Sequence, residues 1–89
     1  MCGKVEFTAE IFREDEVYVA LCPELNVSSF GDSVDEAKKS LVEAVTAFLE
    51  ECKAMGTLEE VLEEAGFLQK GEAWLPREAI AKDRLTVSA

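Results

Sequence analysis

The chain of 89 residues carries 19 Asp and Glu against 9 Lys and Arg, a formal charge of −10. A surface this acidic repels phosphate backbones and speaks against nucleic acid as a direct partner. Histidine is absent and the three cysteines, Cys2, Cys22 and Cys52, form no CxxC pair, so a Cys/His zinc site is nearly excluded and a reduced compartment, the cytoplasm, is expected.

A hydrophobic fraction of 48% argues against disorder. One domain spanning residues 1–89 is expected, with a folded surface of roughly 5,200 Å². The opening MCGKVEF lacks the apolar run of a signal peptide, and the longest apolar stretch, Val17–Cys22, is too short to span a bilayer. Cys2 is expected to be exposed and mobile.

In chain order, Val5, Phe7, Ala9 and Ile11 alternate with Glu6, Thr8 and Glu10, the period of a strand with one wet face. A polar turn at Arg13–Asp15 returns the chain as a second strand, Glu16–Leu21. Val17, Val19 and Leu21 share one of its faces; Tyr18 and Ala20 share the other. Pro23 has no amide donor and interrupts the ladder. Leu25–Phe30 reads as a third strand closed by Gly31, whose backbone freedom suits the approach to a helix.

Ser33 and Glu36 have capping-box spacing, with Asp35 and Glu36 at the positive end of the helix dipole. From Val34 an apolar stripe recurs every three or four residues through Ala37, Leu41, Val45, Leu49 and Cys52 to Met55. Gly56 is placed to end the helix. At about 33 Å it is longer than a strand and must cross the sheet diagonally or overhang it. Thr57 and Glu60 repeat the capping spacing ahead of a short helix with Leu58, Val61, Leu62 and Ala65 on one face and the acidic ridge Glu59, Glu60, Glu63, Glu64 on another. Phe67 and Leu68 are expected to fold back on the core, Gly71–Pro76 with Trp74 to form an exposed turn, and Arg84–Ser88 to supply a final strand through Leu85 and Val87.

The segments YVALCPELNV, SSFGDSVDEA and LVEAVTAFLEEC, with their CPEL turn and GDS-x-DEA helix entry, resemble the HicB-like antitoxin family over residues 4–55. The resemblance implies a small α+β fold of order β-β-β-α-α-β, a partial RNase H-like arrangement with three to four antiparallel strands packed on one long helix. It also implies a toxin-neutralising role toward a small basic RNA-cleaving protein of the HicA type, which an acidic chain would attract. Residues 57–89 show no recognition helix with basic flanks, unlike longer family members that bind operator DNA. The alternative is a stand-alone HicB-like regulatory or small-ligand-binding domain without catalytic activity.

Glu14, Asp15, Glu16, Glu24 and Asp32 are acids of the kind that hold Mg²⁺ when they converge, but Glu14–Glu16 reads most simply as a wet turn. Cys22 has no His or cation beside it to activate a thiolate and is expected to be structural, as is Cys52 on the helix stripe. No enzyme, cofactor or metal is expected. The partner surface is placed at the turn and third strand, on Glu24, Asn26, Ser28, Phe30 and Asp32. Tyr18 and Phe30 are the aromatics expected to face away from the core. A chain this small, with unpaired strand edges, favours a homodimer.

Overall fold

The computed structural model describes residues 3–89, so the expectation for Cys2 lies outside the described residues. The fold is α+β. A meander of β2 (Glu10–Glu14), β3 (Val17–Cys22) and β4 (Val27–Gly31) forms an antiparallel sheet, and α1 (Val34–Met55) packs along one of its faces. A second sheet joins β1 (Lys4–Val5) to the hairpin of β5 (Leu68–Lys70) and β6 (Ala73–Leu75), with β1 parallel to β6. The short helix α2 (Leu58–Glu64) lies between them in sequence.

The helix-side face of the large sheet is built from Ile11, Tyr18, Ala20, Cys22 and Val27, which close on Ala37, Leu41 and Val45. Tyr18 and Ala20 therefore form the core face, and the expectation that Tyr18 points away from the core is corrected. Strand β3 is apolar on both faces, so alternation alone does not choose a side. The choice is made by the small residues: Ala20 and Ala37, both fully buried, let backbone approach backbone.

Gly31 carries this furthest. A Cβ there would lie 2.6 Å from the Ala37 amide nitrogen and 2.7 Å from Glu36 Cβ. Its φ is not positive, so the glycine is required for space and not, as the sequence suggested, for torsional freedom.

Both helices end on a left-handed glycine. Gly56 (φ 75°) directs its amide to the Lys53 carbonyl, and Thr57 N–H reaches Cys52 O at 2.9 Å. At the end of α2, Gly66 (φ 94°) donates to Glu63 O and Phe67 to Leu62 O, both at 3.0 Å. This paired closure satisfies carbonyls that a helix end leaves orphaned. It also explains why Thr57 does not cap α2: its hydroxyl donates back to Cys52 O at 3.3 Å, and no side-chain cap forms at α2. At the start of α1, Ser33 Oγ accepts from Glu36 N–H at 3.1 Å, while the Glu36 carboxylate accepts from Asp32 N–H at 2.9 Å.

The overhang of α1 is used. Leu49, at the edge of the large sheet's core, also packs with Val5 and Leu58 against a second buried group made of Leu62, Phe67 and Trp74. Val34 and Met55, at the two ends of the predicted stripe, are instead exposed. Four further expectations are corrected. The segment 5–11 is not one strand, because Val5 pairs with Trp74 in the small sheet while Ile11 pairs with Ala20 in the large one. Trp74 is buried in β6 and not in an exposed turn, and Leu68 on the facing strand is exposed where only Phe67 turns inward. Residues 76–89 form no strand, and Leu85 and Val87 lie in solvent. The chain's last strand is therefore β6 (Ala73–Leu75), not Arg84–Ser88, and the order is β-β-β-β-α-α-β-β: the expected β-β-β-α-α-β with a separate short strand at its start and a hairpin partner near its end.

Candidate docking face

The face of the large sheet turned away from α1 carries the strand positions that the core does not use. Register sets three rows across it. Glu10, Leu21 and Ser28 form one; Phe12, Val19 and Phe30 form the next; Glu14 stands beside Val17 in the third. Cross-strand neighbours on one face lie close enough for aromatic rings to touch β-branched side chains. The middle row is thus an apolar band across all three strands, with Phe12 48% and Phe30 61% exposed. Glu10 and Glu14 bracket Phe12 on its own strand, and the exposed Asp15 and Glu16 form the hairpin tip beyond it. An apolar centre rimmed by carboxylates is the layout of an interface core with a polar edge.

Of the five residues placed at a partner surface from sequence, the structure brings two together on this face, Ser28 and Phe30. Asn26 sits in the β3–β4 turn and takes a left-handed backbone, φ 57°, a conformation that Asn tolerates better than branched residues. Asp32 is exposed between β4 and the helix cap, where its amide is held by Glu36. Glu24 turns inward. One carboxylate oxygen accepts from Thr8 N–H at 3.2 Å and from Cys22 Sγ at 3.4 Å. Burial works to raise its pKa, but these hydrogen bonds and its own amide outweigh burial and hold it below the usual glutamate range.

Phe12 escaped the sequence reading. It stands at an odd place in the alternation, between Glu10 and Glu14 on the wet side of β2, and an aromatic residue at a solvent-facing strand position is the signal that marks it. Val19 and Leu21 were placed on one face, but nothing local showed that it was the outer one.

At the other side of the sheet, burial pushes the Cys22 thiol up to about 11, and its hydrogen bond to the Glu24 carboxylate adds to the shift. Arg13 lies with its guanidinium carbon 5.8 Å from the centre of the Tyr18 ring and donates to Asp15 O at 3.2 Å, stiffening the hairpin tip. Among the described residues, no group of three or more His, Cys, Asp or Glu side chains is arranged to hold a metal ion, and no helix is long and apolar enough to cross a membrane. No family model, curated protein or solved structure matches this chain.

Proposed function

We propose that this chain is a non-catalytic cytoplasmic docking protein whose open sheet face receives a small basic protein. An RNA-cleaving toxin of the HicA type is the partner that the sequence resemblance supports. The observation that carries the reading is the Phe12–Val19–Phe30 band. Two half-exposed aromatics and a valine in register are costly to leave in water, at roughly 25 cal/mol per Å² of apolar surface, and aromatic anchors of this kind supply most of the energy in many interfaces.

The carboxylates around the band have a second role. A net charge of −10 speeds encounter with a cationic surface and disfavours acidic competitors, so the rim contributes rate and selectivity while the band contributes hold. Covering a basic RNA-binding surface with an acidic one removes the charge that attracts RNA, which is sufficient for neutralisation without any bond being made or broken.

The test is capture and calorimetry with the full chain and a small basic ribonuclease-type protein encoded beside it. Phe30→Asp and Phe12→Asp are expected to weaken binding by about 2 kcal/mol or more each while leaving the thermal melt near that of the parent, since both rings are solvent-facing in the free chain. Raising salt is expected to slow association. Binding that ignores both substitutions, or failure to retain the basic protein at low salt, would overturn the reading.

A further inference from the structure

A second open surface lies on the helix side of the molecule, away from the sheet face assigned above. Between α1 and the small sheet runs a groove of about 640 Å³. Val5, Phe7, Leu49 and Trp74 line it, together with Val42, which is 52% exposed on α1. Its charged lining residues are Glu50, Glu59 and Glu72 against Lys53, leaving the apolar surface under a net negative rim.

The segment that follows β6 has the complementary character. Residues 77–89 are exposed throughout and have no helix or strand. Ile80 is fully solvated, and Leu85 and Val87, alternating as strand residues do, are each 86% exposed. This segment holds three cations and two acids, net +1, whereas residues 1–76 hold six cations and seventeen acids, net −11. Its departure is directed. The Arg77 stem lies against Gly66, so that a Cβ on that glycine would meet Arg77 Cδ at 3.1 Å. The chain therefore leaves past the C-terminal end of α2, while the groove is lined by Leu58 and Glu59 at the opposite end.

The size of the molecule agrees. Its accessible surface is 7009 Å², on the order of 1,800 Å² above that of a compact monomer of this mass. Its radius of gyration is 15.0 Å where about 12 Å is usual for this length. A stable interface needs about 800 Å² from each partner, so the excess can accommodate an exchanged segment and still leave the sheet face free.

We propose that residues 77–89 are an exchanged arm. In a two-fold dimer of this chain, each arm crosses to the second copy and lays Ile80, Leu85 and Val87 in its helix-side groove, with Lys82 and Arg84 against Glu50, Glu59 and Glu72. The contact is isologous and closes after two copies. It does not depend on the docking function proposed for the sheet face.

Sedimentation equilibrium on the full chain tests it, with circular dichroism as the control for folding. The parent is expected to be a dimer at concentrations on the order of 0.1 mM. L85D/V87D, at two positions that are each 86% exposed within one copy, is expected to weaken the dimer by about a hundredfold with an unchanged dichroism spectrum. Val42→Asp at the groove is expected to do the same, and K82E/R84E combined with E50K/E59K to recover what K82E/R84E loses. In a mixture of isotopically labelled and unlabelled chains, filtered NOEs should join the Leu85 and Val87 methyls of one copy to Phe7 or Trp74 of the other. A monomeric parent, a dimer indifferent to both single-surface variants, or arm-to-groove NOEs found only within one chain would each overturn the proposal; the last would mean that the arm covers its own groove. Loss of the dimer with basic-partner binding intact separates this result from failure of the sheet-face reading.

Discussion

Glu24 shows how one side chain sets a pH dependence. It joins the junction at Thr8 to the strand end at Cys22, and the hydrogen bonds it receives favour its ionised form. Its folded pKa lies below the ordinary value of 4.5, so its contribution to stability is complete above that value and disappears as pH falls through the lower, folded one. Glu24→Gln should cost on the order of 1 kcal/mol at neutral pH and flatten the acid limb of a stability-versus-pH curve; an unaltered acid limb would refute the assignment. Cys22 has the opposite sign. The fold favours its neutral thiol, raised from 9.0 to about 11, so that contribution is present below pH 9 and is lost as pH climbs toward the folded value. Alkylation of Cys22 at pH 8 should accordingly be slow in the native protein and fast in denaturant, read by mass spectrometry of the labelled peptide. Gly31→Ala should destabilise by about 2 kcal/mol or more through overpacking, because the added carbon meets backbone and not a side chain that can move.

At the scale of elements, α1 was readable from its sequence because every signal for it is local. Ser33 and Glu36 mark its start, Gly56 its end, and Ala37, Leu41 and Val45 its buried face. Ser33→Ala should cost about 1 kcal/mol in a chemical melt, and Leu41→Ala, at 1% exposure, about 3 kcal/mol. The β2–β3 and β3–β4 pairings were legible for the same reason, since short turns join neighbouring strands; the expected bounds of β3 and β4 lie within a residue or two of the observed ones, whereas β2 begins at Glu10 and runs through Arg13 and Glu14, which the sequence assigns to the turn. What was not legible depends on distant partners. Nothing near Val5 reveals that Trp74 stands beside it, and so an alternating run was read as one strand when its two ends belong to different sheets. The same gap misplaced Trp74. Leu85 and Val87 have strand alternation, but no strand among the described residues pairs with them. For the docking face, the pattern put Phe30 on the outside, yet β3, apolar on both sides, gave no reason to add Val19 to it.

The whole molecule is an elongated body of 44 × 32 × 21 Å with two small cores sharing Phe7, Leu25 and Leu49 at their boundary. Because those residues serve both groups, truncating Leu49 to Ala should lower the melting of both sheets together, seen as one transition by far-UV dichroism and by fluorescence; two separated transitions would show that the cores are independent. The parallel pairing of β1 with β6 adds a constraint in time. It brings residue 5 beside residue 74, so β1 has no mate until the chain through β6 has been synthesised. Contacts this far apart in the chain are slow to form. The sole tryptophan, Trp74, sits at that late junction and acts as a built-in clock: in stopped-flow refolding its emission should settle after the helical signal of α1 has already reached its final value.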